Sequence, residues 1–362
     1  MNLKAFLHFD RNGSVPAPSE KLFPAVAGVL ALVTAVLCVY GVSLGHNFLF
    51  DEKAIIENNP GVRNLSMVPE LLRRGFFCYE GKAEAAWEQR YRPLTSLTFA
   101  VDHAVWGLNP LGFNLTNTMI HTLVCIVLFG LLFMACRSYV AAFLAALFYA
   151  VHPVHVEAVT YIASRSDPLA TLLVLLAVGC HWQSRVKTAA LCYGFGLFAK
   201  ESVIFLPATL FLVDLCFTKP SRKQAIVRML PYVAVAVLFL IFRRAVALVP
   251  LPPGPDWPGA LLRLLSMGLP VLEYLRSVVL PCDFEFGRNI AFATSLIELK
   301  VLISVLVYAG LLAVWFLARR HTLVYFGWGV FLLSLFPYVQ WMPFEPVWAA
   351  RYLYLPLVGL IA

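Results

Sequence analysis

A chain of 362 residues with 60% hydrophobic and only 13% charged side chains lies outside the balance of soluble domains, which excludes an ordinary soluble enzyme. Its net charge of +8 does not mark a nucleic-acid binder, because the basic residues sit in short connections between apolar runs. The class that remains is all-α, a polytopic membrane helix bundle.

The first apolar run, 22–44, follows a polar stretch with Lys4, Arg11 and Lys21. It is longer than a signal-peptide core and reads as an uncleaved span. Further runs cover 114–135, 138–152, 168–183, 188–199, 201–217, 229–249, 300–318, 322–340 and 350–362, for about ten spans. The stretch 260–281 is broken by Arg263, Pro270, Glu273 and Arg276 and is expected to be re-entrant. If the spans alternate, the basic clusters at 1–21, Arg137, Arg185, Lys187, 218–228 and 318–322 share the cytoplasmic side. The opposite side then receives 45–113, 152–167, the Lys200–Glu201 turn, 250–299 and 341–350, all within one domain, 1–362.

In the first external loop, Asp51 and Glu52 stand side by side just past the first run. "NLSMVPELLRRGFF" is patterned as an amphipathic helix on the membrane surface. "YRPLTSLTFAVDHAVWG" opens with Arg92 before a proline, a helix start with a cation at its entrance. The second external loop gathers His152, His155, Glu157, Arg165 and Asp167. On a helix His152 and His155 share a face while Glu157 points about 200° from His155, so three readings stand: a metal set, a hydrogen-bonded loop, or a substrate-contacting loop. Arg165 and Asp167 could pair with each other, as could Lys200 and Glu201, which interrupt an apolar stretch. Arg351 opens the last apolar segment beside Tyr352 and Tyr354. Of eight cysteines, only Cys78 and Cys282 fall in external loops, where a disulfide is open to them.

Acidic residues (Asp51, Glu52, Asp167) and cations (Arg92, Arg165, Lys200, Arg351) thus gather on one side, at the mouths of helices. Cations suit a lipid-linked phosphate and a carboxylate can take a proton from an attacking hydroxyl. Transfer of a sugar from an anomeric phosphate needs little more.

"FDEKAIIENNPGVRN", "YRPLTSLTFAVDHAVWGLNPLGFNLTNTMIH", "LFYAVHPVHVEAVTYIASRSDPLATL", "AKESVIFLPATLFLVD", "YLRSVVLPCDFEF" and "ARYLYLP" resemble successive blocks of the transmembrane and tetratricopeptide-repeat O-mannosyltransferase family and its bacterial relatives. The resemblance implies the C-type glycosyltransferase fold and transfer of mannose or another hexose from a polyprenyl-phosphate donor to a hydroxyl, protein Ser/Thr foremost, on the periplasmic or lumenal side. It implies Asp51 as base with Glu52 in support, Asp167 as a second acidic residue, and Arg92 at the donor phosphate with Arg165, Lys200 and Arg351. His152, His155 and Glu157 would shape the site, with no cofactor and no divalent metal required. The family's last block carries a Glu before the Arg, where this chain has Ala350. The expected repeats of about 34 residues do not follow before Ala362, which suggests either a truncated chain or a short bacterial inner-membrane form, favoured over an endoplasmic reticulum protein. A lipid or glycan acceptor, or a non-catalytic assembly or transport protein, are the rival readings.

Overall fold

A computed structural model describes residues 18–76, 90–246, 257–282, 287–340 and 346–362. Apolar runs in hydrocarbon must satisfy every backbone group internally, and helices dominate accordingly. The helices are α1 (Pro18–Tyr40), α2 (Pro93–Trp106), α3 (Pro110–Cys136), α4 (Tyr139–Val151), α5 (Val156–Thr160), α6 (Ser166–Trp182) and α7 (Val186–Ala199). They continue with α8 (Leu206–Val213), α9 (Arg222–Val246), α10 (Trp257–Ser266), α11 (Gly268–Val279), α12 (Leu299–Leu317), α13 (Thr322–Leu335) and α14 (Pro356–Ile361). The sole β pairing among the described residues is an isolated bridge between Arg288 and Trp348.

Six segments are long and apolar enough to cross a membrane: Pro24–Gly45, Pro110–Cys136, Ile162–Trp182, Glu201–Thr218, Arg222–Val246 and Leu299–Arg320. The bent pair Tyr139–Val151 and Pro153–Thr160, angled by 48°, makes a seventh if taken together. Val186–Ala199 and Thr322–Tyr338 are apolar but shorter. The run at 350–362 folds as a 3-10 turn, Ala350–Leu353, and the six-residue α14. The apolar runs expected as about ten spans fold as a mixture of long and short helices, because proline and extended residues break them: Pro153 after α4, Lys200 after α7, Pro356 before α14. The stretch 260–281 becomes two short helices joined at Met267.

Local signals set the starts that matter. Pro93 occupies the first turn of α2 and Pro110 that of α3, where Asn109 accepts the Leu111 N–H at 3.1 Å. Ser138 caps α4 by accepting from Ala141. α9 and α12 turn Leu230, Val233, Leu238, Leu240, Leu302 and Leu306 outward, a surface suited to lipid.

Three apolar cores organise the bundle. One joins α1, α3 and α4 to the segment 347–358; a second holds α6 to α9 together; a third fills the first loop, with Ile55, Ile56, Leu71 and Phe76 against Phe99 and Phe113. The expected surface helix at 64–77 is instead a 3-10 turn and the four-residue Val68–Leu71, whose Leu71 is buried in that third core. α13 and α14 meet at Gly327 and Gly359, where a Cβ on either would lie 2.4 Å from the other's carbonyl oxygen. Only glycine permits this approach, which anchors the segment just after Arg351 and Tyr352.

Candidate functional site

A cavity partly open to solvent, with about 360 Å³ of empty space between its atoms, lies against the first and third cores. Arg90, Arg92, Lys200 and Arg351 line it together with Asp51 and Asp167, and Phe76, Tyr161 and Tyr352 supply rings. Five of the ten residues selected from sequence thus converge from the first loop, the start of α2, the start of α6, the α7 break and the last segment.

Each cation from those breaks is held by a carboxylate. The Arg92 guanidinium donates to both Glu201 oxygens, at 3.0 and 2.7 Å, and its Nη1 donates to Ser166 Oγ at 3.0 Å. Lys200 is 3% exposed and its ammonium pairs with Asp167. That ammonium also lies 5.1 Å from the Tyr338 ring centre and 5.7 Å from that of Tyr352. Arg351 pairs with Glu157, and its backbone N–H donates to the same carboxylate at 3.0 Å. The two pairings open in the sequence, Lys200 with Glu201 and Arg165 with Asp167, are therefore not the ones the fold makes. Lys200 is the extended residue between α7 and the following 3-10 turn, so it and Glu201 diverge toward different partners.

Asp51 and Glu52 separate sharply. Phe50 takes a φ of +41°, a left-handed conformation costly for a bulky side chain, and the chain turns there. Asp51 lines the cavity half-buried, and among the described residues no cation pairs with it. Glu52 is 1% exposed; it accepts the Leu49 N–H at 2.8 Å and the Ile162 N–H at 2.5 Å. Burial pushes the Glu52 carboxyl up to about 7, against the lowering effect of those amides. Glu52 pins the first loop to the segment before α6 and does not line the cavity.

Arg165 does not reach the cavity either. It is fully buried, pairs with Asp102 at 2.6 Å, donates to Asn117 Oδ1 at 2.6 Å, Phe113 O at 3.0 Å and Thr98 Oγ1 at 3.2 Å, and lies 4.5 Å from the Phe99 ring centre. These contacts stitch α2, α3 and the turn before α6 and engage four of the five N–H donors of this buried guanidinium, away from the cavity lining. His152 is also tied inward: its Nδ1 accepts from Val154 N–H at 3.2 Å and its Nε2 faces Val278 O at 3.0 Å. His155 is fully enclosed, with ring centres of Tyr149 at 4.2 Å and Tyr354 at 4.6 Å. Among the described residues no group of three or more His, Cys, Asp or Glu is placed to hold a metal ion. Of the loop trio, Glu157 alone bears on the cavity, through Arg351. Cys282 is a free thiol, and Cys78 lies outside the described residues.

Sequence reasoning passed over Arg90, Ser166 and Tyr161, and took Glu201 only as a partner for Lys200. Arg90 lines the cavity two residues before Arg92, and burial lowers its guanidinium to about 10, still charged near neutrality. The proximity of Arg90 and Arg92 in "QRYRP" was the available signal.

Fold and site define an all-helical membrane-type bundle with a charged cavity at the mouths of its helices. Comparison with known proteins finds partial similarities. Protein O-mannosyl-transferase TMTC1 of Mus musculus is 37% identical over 212 residues, 56% of this chain and 22% of that protein. Protein O-mannosyl-transferase F38B6.6 of Caenorhabditis elegans is 30% identical over 191 residues, 51% of this chain and 28% of that protein. Protein O-mannosyl-transferase TMTC3 of Mus musculus is 31% identical over 159 residues, 43% of this chain and 17% of that protein. Over the matched residues the chain is thus similar to proteins named O-mannosyl-transferases. The chain matches less than a third of the length of each of these relatives. No protein-family model matches it, and no solved structure matches it significantly.

Proposed function

We propose that the chain is an integral-membrane glycosyltransferase that moves mannose or another hexose from a polyprenyl-phosphate donor to a hydroxyl, foremost that of a protein Ser or Thr. The observation that carries this reading is Asp51, the cavity carboxylate to which no cation is paired among the described residues, sharing the cavity with Arg90, Arg92, Lys200 and Arg351. The relatives' names support the sugar and the protein acceptor.

In this reading Asp51 takes the proton of the acceptor hydroxyl as its oxygen bonds to the anomeric carbon. The bond from that carbon to the phosphate oxygen breaks, and the electron pair leaves on the lipid phosphate. Arg351, Arg92 and Lys200 stabilise the charge that develops there, with their carboxylate partners holding them in place beforehand. Asp167 acts through Lys200, and Glu157 through Arg351. The phosphate-sugar head enters from the bilayer at the end of the bundle where α6 begins, on the lumenal or periplasmic face. The animal origin of the relatives favours an endoplasmic reticulum setting over a bacterial inner membrane.

The test is transfer from a labelled polyprenyl-phosphate mannose to a Ser/Thr peptide by the purified chain. Asp51→Asn is expected to lower the rate on the order of 10²–10⁴-fold while donor lipid still binds. Transfer unchanged in Asp51→Asn removes Asp51 from the mechanism; no transfer by the unaltered chain with any hexose donor overturns the reading.

A further inference from the structure

The loop that carries Asp51 also holds Asn64-Leu65-Ser66, which fits the Asn-x-Ser/Thr pattern of asparagine-linked glycan acceptors. Two other stretches fit it, Asn12-Gly13-Ser14 and Asn114-Leu115-Thr116. Their surroundings separate the three. Asn64, Leu65 and Ser66 are all exposed. Asn64 Oδ1 accepts the Ser66 N–H at 3.0 Å, and among the described residues neither the Asn64 side-chain amide nor the Ser66 hydroxyl donates a hydrogen bond. The acceptor nitrogen and the hydroxyl are therefore both unspent and open to solvent.

Asn114 cannot serve. It is 1% exposed on α3, and its Nδ2 donates to His46 O at 3.2 Å, so a glycan there would break the packing of α3 against the end of the first span. Asn12 precedes the span Pro24–Gly45, whereas Asn64 follows it, so one crossing puts these two on opposite faces. No long apolar helix intervenes between Gly45 and Asn64, and the loop is packed as one piece from Phe48 to Phe76. Asn64 consequently shares the face of Asp51 and the cavity.

We propose that Asn64 is an N-glycosylation site, occupied in the lumen of a secretory compartment, and that its occupancy marks the cavity as lumenal. The donor class is a lipid-diphosphate-linked oligosaccharide. The Asn64 Nδ2 bonds to its anomeric carbon, the carbon–oxygen bond to the diphosphate breaks, the lipid diphosphate leaves with the electron pair, and the amide proton passes to a base of the host transferase. Asn64 makes no contact with the cavity, so the inference does not depend on the sugar-transfer chemistry proposed for Asp51.

The experiment expresses the full chain in cells with asparagine-linked glycosylation and compares gel mobility before and after peptide-N-glycosidase. The expected result is a single-glycan shift on most of the protein, lost in both Asn64→Gln and Ser66→Ala, kept in Ser66→Thr, Asn114→Gln and Asn12→Gln. Asn64→Gln is also expected to leave sugar transfer and detergent stability as in the parent, which separates a lost acceptor from a lost fold. A parent chain with no shift, or a shift that persists in Asn64→Gln, overturns the proposal. A shift lost only in Asn12→Gln overturns it too and puts the cavity on the cytoplasmic face.

Discussion

Glu157 holds Arg351 twice, through the guanidinium and through the backbone N–H at 3.0 Å. The neighbouring position, Ala350, carries no carboxylate and is buried. A carboxylate from the second loop thus reaches the segment that lacks its own. Because the bond includes the backbone, it fixes where the 3-10 turn Ala350–Leu353 begins as well as where the side chain points.

Glu157→Gln keeps the shape and removes the charge. Arg351 then loses its ion pair but not its backbone contact, and transfer is expected to fall about tenfold, mostly in kcat, as for loss of positioning. Arg351→Ala is expected to fall further, with a raised donor KM. Steady-state kinetics at varied donor checks both; equal, unchanged kcat in Glu157→Gln would remove its positioning role.

Arg165 and Asp102 should matter for folding alone. Arg165→Met leaves Asp102 buried with only Thr116 to donate to it, at 2.8 Å, and is expected to cost about 3–5 kcal/mol. Thermal unfolding in detergent reads this. If Arg165→Met folds as stably as the parent, the internal network is not what holds α2 and α3 to the turn before α6.

Asp167 and Lys200 form a buried pair whose members are worth more together than apart. Asp167→Asn and Lys200→Met are each expected to destabilise by a few kcal/mol, and the double variant to recover most of that loss. Strict additivity in the double-mutant cycle would show that the pair is not coupled.

Glu52 gives a pH signature. Its carboxyl ionises near 7 in the folded chain, against 4.5 for an unperturbed glutamate, so between those values the folded state keeps a proton that the unfolded state has lost. The stability it contributes is complete below about 4.5 and is lost as pH rises through about 7, on the order of 3 kcal/mol in all. Glu52→Gln cannot ionise, and although it loses one acceptor for the Leu49 and Ile162 amides, its unfolding midpoint should vary less between pH 5 and 8. A parent-like slope in Glu52→Gln would assign the pH dependence to other groups.

Much of this was written in the chain order of residue types. Apolar runs too long for a soluble core required a helical membrane bundle, because hydrocarbon leaves backbone amides no partner outside their own helix. Polar residues at the ends of those runs named Asp51, Arg92, Asp167, Lys200 and Arg351, since charge at membrane depth must face a cavity or a partner. What one-dimensional order could not assign was the partner of each charge. Neighbours in sequence, Asp51 with Glu52, Arg165 with Asp167 and Lys200 with Glu201, point to different places because a turn or a helix start lies within or just before each pair. Tertiary packing alone brought Glu201 to Arg92, Asp102 to Arg165 and Glu157 to Arg351, across separations no local rule spans. It thereby divided the charged residues into those that face the cavity and those that hold the helices around it.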